Sequence, residues 1–152
     1  MKNALDVACY FLRRLDREAG DTISTLKLQK LIYYAQAWSL VFRGKPLFYQ
    51  DIEAWMSGPV VRDVWNEYKD YHYRDIPAPD DIDAEFDEEE TEVLEEVWSA
   101  YGELSARQLQ ELTQSENPWL NARRGLEPAQ KSTNFISYED MKSYYVNFMA
   151  EA

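Results

Sequence analysis

The run Ser24-Thr-Leu-Lys-Leu-Gln-Lys-Leu-Ile-Tyr-Tyr-Ala-Gln-Ala-Trp-Ser-Leu-Val-Phe42 carries helix punctuation at both ends. Ser24 is placed to cap the first turn, and Gly44 with Pro46 stops the run. Leu28, Leu31, Ile32, Ala35 and Phe42 form one face, yet Tyr33, Tyr34, Trp38, Leu40 and Val41 cover much of the rest. A helix apolar on nearly every side belongs in the middle of a domain. Its uncharged portion, the twelve residues Leu31 to Phe42, is too short to span a bilayer, so the segment reads as a buried central helix.

Six further segments show helical period or helix punctuation. Upstream, Asn3 to Ala19 places Leu5, Ala8, Leu12 and Leu15 on one stripe, with Asn3 and Asp6 at its start and Gly20 as its stop. Downstream, Pro46 to Ser57 lacks a helical stripe and reads as an extended connector with a candidate short strand at Ile52 to Trp55. Gly58-Pro59 then opens a third helix, in which Pro59 takes the first position, where its missing amide is not needed. Val61, Val64, Trp65 and Tyr68 give that helix its stripe. Arg74 to Phe86 is a Pro- and Asp-containing linker, expected to be more mobile than its neighbours. Asp87 with Glu90, and Ser105 with Gln108, form capping-box starts to two more helices. The first of these buries Leu94, Val97, Trp98 and Tyr101, and the second Leu109 and Leu112. Asn117-Pro118 opens a short helix through Arg124. Ser137 with Asp140 begins the last, which carries Met141, Tyr144, Tyr145 and Phe148. The expected fold is all-α: a single compact domain over residues 1–152, with six or seven helices around the central one and room for one short strand pair.

Composition narrows the function. At 152 residues, 45% apolar and 14% aromatic, the chain can enclose a real core. Its formal charge is −12, but the acidity is concentrated in Asp80 to Glu96, which holds eleven acidic residues and no basic one. The rest is nearly neutral. Neither the Arg13, Arg14, Arg17 group nor the Arg123, Arg124 pair dominates its surroundings, so nucleic acid is a secondary hypothesis. Cys9 is the sole cysteine, which excludes an internal disulfide and a cysteine-built zinc site, and suits a reducing cytoplasm. Met1 to Leu12 contains Asp6 and has no long apolar stretch, unlike a signal peptide. Neither a cofactor nor a membrane is called for.

From Ile23 onward the sequence resembles a known family. Ile23-Ser-Thr-Leu-Lys-Leu-Gln-Lys-Leu-Ile-Tyr-Tyr-Ala-Gln-Ala-Trp38 is similar to the opening signature of the Panacea domain, also called the SocA-like domain. The likeness continues through Gly44-Lys-Pro-Leu-Phe48, Ile52-Glu-Ala-Trp55, Gly58-Pro-Val60 and Glu67-Tyr-Lys69. It resumes in Tyr101-Gly-Glu-Leu-Ser105, Leu109-Gln-Glu-Leu-Thr113, Glu116-Asn-Pro-Trp119 and Ile136-Ser-Tyr-Glu-Asp140. Two positions depart from the family's pattern: Gln114 stands where His is frequent, and Thr25 where Pro is frequent. The resemblance implies an antitoxin that binds a cognate protein toxin encoded nearby. Some relatives are associated with prophages, and some are thought to deliver the toxin to a protease. Homo-oligomers are left open. The signature makes Lys27, Gln29, Lys30, Tyr33, Tyr34, Gln36 and Trp38 candidate site residues, joined by Glu53, Trp55, Gly58, Pro59 and Trp119.

The chemistry-bearing residues admit bland readings beside sharper ones. Cys9 and His72 are the only thiol and imidazole, but Cys9 lies mid-helix beside Ala8 and Tyr10, where a buried inert thiol is usual, and no third group orients a base. An enzyme is not expected. The acidic run reads either as a solvated face or as a surface that docks a basic toxin. Glu53-Ala-Trp55 with Gly58-Pro-Val60 is read either as core and turn or, with Lys27, Lys30 and Gln36, as a common recognition surface with aromatic anchors. On the second reading those polar side chains are exposed, and changing them weakens toxin binding without unfolding.

Overall fold

The computed structural model describes residues 1–80 and 85–151, and in the last of these, from 150 on, the backbone alone. Asn3 accepts the Leu5 amide and starts helix α1 (Ala4–Arg14). Helix α2 (Thr25–Phe42) follows, with Ser24 as its cap. The antiparallel pair β1 (Glu53–Trp55) and β2 (Gly58–Val60) leads into α3 (Arg62–Tyr68), which ends in one 3-10 turn. The remaining helices are α4 (Glu88–Tyr101), α5 (Ala106–Gln114), α6 (Asn117–Ala122) and α7 (Tyr138–Glu151). Among the described residues there are thus seven α-helices and one two-stranded sheet, a mostly α domain as expected.

Helix α2 is the axle. It packs against α1, α3, α4, α5, α7 and β2, and thirteen of its eighteen residues are buried. This is the physical content of an apolar surface on all sides: each face has a different neighbour. Both predicted capping boxes are present, Asp87 with Glu90 at α4 and Ser105 with Gln108 at α5. Replacing Asp87 by Ala removes the bond to the Glu90 amide (2.8 Å) and is expected to lower the melting temperature. A thermal melt unchanged from wild type would refute that role.

Several boundaries differ from expectation. Helix α1 ends at Arg14, not Ala19, because Asp16 offers the chain another partner: its carboxylate and carbonyl both accept the Ala19 amide, and the carbonyl also accepts the Asp21 amide. Pro59 lies in β2, and α3 starts three residues later. The register pairs Ala54 with Pro59, and the Ala54 amide points the other way, to the Asn134 carbonyl at 2.7 Å. The pair is therefore one that exchanges no ladder bond, and the missing proline amide costs nothing there. Residues 134–136 run along this outer edge of β1, with the Ile136 amide on the Ile52 carbonyl.

The described part of the linker is tied at both ends. The Ile76 amide donates to the Ile23 carbonyl, Asp75 accepts the Ile23 amide, and Arg17 reaches both Asp75 and the Ile76 carbonyl. Ile76 is buried, and Phe86 packs on Tyr10. The expected linker thus makes specific contacts with the body of the domain at these positions, while 81–84 lies outside the described residues.

Candidate partner-binding site

The polar residues of the α2 signature turn inward. Gln36 is fully buried: its carbonyl accepts the Leu47 and Phe48 amides (2.7 and 3.1 Å), and its amide donates to the Phe48 carbonyl (2.9 Å). Gln29 grips the residue after β2 in the same way, accepting the Val61 amide and donating to the Val61 carbonyl. Both therefore do for the connector what a neighbouring strand would do, satisfying backbone groups that burial would otherwise leave unpaired.

Lys30 is fully buried, with its ammonium 3.5 Å from the Pro59 carbonyl. Burial pushes its pKa down to about 7. It passes under Gly58, whose φ of 112° and lack of a Cβ both matter: a Cβ there would meet Lys30 Cε at 2.8 Å. Lys27 is half-buried and donates to the Gly102 carbonyl at 2.6 Å, beyond the end of α4. The expected common surface of Lys27, Lys30, Gln36 and Glu53 does not form. These side chains go to separate places, and Lys30 and Gln36 are not exposed, because each is needed by backbone far away in sequence.

The aromatic signature closes a second buried cluster. Glu116 accepts the hydroxyls of Tyr34 (2.6 Å) and Tyr145 (2.9 Å), and the hydroxyls of Tyr145 and Tyr33 are 2.9 Å apart. Burial raises the Glu116 carboxyl, while the two phenols pull it back. Tyr34 stacks on Tyr101, which in turn accepts the Trp38 indole N–H. This joins α2, α4, α6 and α7 through one polar knot.

The hairpin is braced from outside. Buried Trp119 donates to the Trp55 carbonyl at 2.8 Å, and Gln114 donates to the Met56 carbonyl at 2.8 Å. The position where the family often has His thus anchors the hairpin tip. Glu53 is held by Arg62 (2.7 Å) and by the Trp55 indole (3.0 Å); burial raises its carboxyl, but those bonds outweigh it and keep it low. Arg123, read from the sequence only as half of a minor basic pair with Arg124, is buried beneath Trp119 and donates to the Ala54, Glu127 and Gln130 carbonyls. Cys9 is half-buried, and burial raises its thiol pKa.

The open surface lies elsewhere, where the end of α2 meets α4 and α7. Phe42, expected in the core face, is 51% exposed, and Phe148 and Met149 on α7 are 52% and 48% exposed. Phe42 stacks on Trp38 and is the last residue of α2, so no further turn of that helix covers it. A cleft of about 260 Å³ lies between Trp38, Phe42, Val97, Ala100, Phe148 and Met149. It adjoins a second of about 600 Å³, walled by Phe42, Arg43, Val93 and the carboxylates Glu89, Glu92, Glu95 and Glu96. Together they make an apolar groove with one acidic wall.

Among the described residues no helix is long and apolar enough to cross a membrane. No curated protein and no solved structure gives a significant match to the chain. The family model for the antitoxin SocA-like Panacea domain matches residues 28–120, more than half of the chain, from the middle of the α2 signature through the α6 tryptophan. With the quoted motifs now seen as the clamps and braces of one scaffold, the chain belongs to the SocA-like Panacea domain family of antitoxins.

Proposed function

We propose that this protein neutralises a toxin encoded beside its own gene by direct, stoichiometric binding in the cytoplasm, and that it acts as a binding protein and not as an enzyme. The observation that carries the reading is the groove between α2, α4 and α7. Soluble monomers rarely leave contiguous apolar clefts open, and such clefts mark interaction sites. Phe42, Phe148 and Met149 are large, exposed and adjacent to buried Trp38, the arrangement in which a few anchors carry most of the binding energy. The family's antitoxin role supplies the kind of partner.

The test is a rescue assay with the neighbouring reading frame, paired with a binding titration and circular dichroism on the same variants. Phe148→Asp is expected to keep the fold, because the ring is half exposed, and to weaken the toxin complex by about 30-fold or more. Rescue by a protein that forms no complex with the toxin would overturn direct neutralisation and favour an indirect route, such as control of toxin expression.

A further inference from the structure

Resting on the proposed role, we infer that the groove receives an amphipathic α-helix of the partner with lysine or arginine along one flank. Three observations specify that occupant.

The first is the shape. The groove follows α4 from Glu89 to Ala100, a rise of about 16 Å at about 1.5 Å per residue, so it matches roughly three turns of a partner helix. Its floor is apolar, formed by Phe42, Val93, Val97 and Phe148. A strand laid there would have its backbone amides and carbonyls against hydrocarbon, since among the described residues the only sheet is the β1–β2 hairpin and none of its residues lines the groove. A helix satisfies its own backbone and presents side chains at i, i+3, i+4 and i+7.

The second is the charge. Glu89, Glu92 and Glu96 line one wall with helical spacing and make no salt bridge among the described residues. Glu95 is occupied by Arg14, and Arg43 is turned onto Glu90 and Ser39. The wall therefore presents uncompensated negative charge beside an apolar floor, which favours a partner with cations beside an apolar stripe and repels one with acids.

The third weighs against a second copy of this chain: its formal charge is −12 with the acidity concentrated at α4, so bringing two such surfaces together is opposed by like-charge repulsion.

The test uses the full chain and synthetic peptides of about fourteen residues, matching α4 in length. One peptide has leucine at i, i+3, i+4 and i+7 with lysine on one flank. The second replaces those lysines by glutamate, and the third keeps the lysine peptide's composition but scrambles its order. The lysine helix is expected to bind at least about tenfold more tightly than either control, with an affinity that falls as salt rises. The triple change Glu89→Lys, Glu92→Lys and Glu96→Lys should remove that preference, and Phe148→Asp should weaken the lysine helix. Equal binding of the ordered and scrambled lysine peptides overturns the inference, since contact would then be electrostatic alone. So does unchanged binding to the triple variant, or preference for the glutamate helix. With the toxin itself, a complex untouched by the triple change sinks this inference and leaves the antitoxin reading standing. Absence of any toxin complex sinks that reading, while the peptide preference still decides the groove's occupant.

Discussion

Gln36→Ala is expected to cost about 3–5 kcal/mol, a large share of the about 5–15 kcal/mol that holds a domain folded. The side chain is fully buried and satisfies two amides and one carbonyl of Leu47 and Phe48. Each buried backbone group left without a partner costs about 1–3 kcal/mol, and water admitted to the vacated space recovers part of that. The connector is also tied to the start of the chain, through the Lys2 amide on the Leu47 carbonyl and the Tyr49 amide on the Lys2 carbonyl. Loosening residues 47–48 therefore loosens α1 as well. Gln36→Glu keeps the packing but brings a buried carboxylate against the Phe48 carbonyl, so near neutral pH it should be at least as destabilising as Gln36→Ala. Urea midpoints measure all three. A Gln36→Ala midpoint equal to that of wild type would show that the clamp is dispensable.

The other large effect is a stability that climbs on the alkaline side. Lys30 has a folded-state pKa of about 7 against 10.5 for the free side chain, lowered by burial. Between these values the unfolded chain holds the proton and the folded chain has given it up. Raising the pH thus favours folding, with a slope of up to about 1.4 kcal/mol per pH unit. Below pH 7 both states are protonated, and the full cost of burying the ammonium is borne. Tyr33, Tyr34 and Tyr145 act with the opposite sign, since burial holds their hydroxyls well above 10 and the unfolded chain ionises first. The optimum should fall between about pH 9 and 10. Lys30→Met should stabilise the protein most at or below pH 7 and flatten the rise, whereas Lys30→Glu should prevent folding by leaving an unpaired buried carboxylate. A pH series of denaturant midpoints checks this. A flat profile from pH 7 to 9 in wild type, or the same climb in Lys30→Met, would contradict it.

What was legible in the sequence was local. Ser24 at the start of α2, the Asp87–Glu90 and Ser105–Gln108 boxes, and Asn117-Pro118 each announce a helix start with residues a few positions apart, and the structure places helices there. The end of α1 was missed because a leucine stripe continues to Leu15, while the competing turn depends on one aspartate side chain. Pro59 was ambiguous in principle. A residue without an amide fits the first turn of a helix and also a strand position that makes no ladder bond.

The site was harder, for a reason visible in Lys30 and Gln36. Long polar side chains are usually solvated, and periodicity cannot show that a carbonyl of Pro59 or the amides of Leu47 and Phe48 will come to meet them. The groove was half legible. The acidic run and the Phe148 stripe were both apparent, but their meeting at the exposed end of α2 depends on packing between segments some fifty residues apart.

The early place of α2 in the chain and the late place of α7 have a consequence during synthesis. α2 is complete at Phe42, but the tyrosine that closes its polar knot, Tyr145, comes about a hundred residues later. At about 5–20 residues per second, the most apolar helix of the protein waits roughly 5–20 s for its last cover. Throughout that interval Tyr33 lacks the hydroxyl of Tyr145 and Tyr34 lacks its ring, and the nascent chain presents the kind of surface that chaperones and proteases engage. Completion of the fold thus waits until α7 has been made, and a chain that stops short of α7 is left with the α2 face that this helix covers open to solvent.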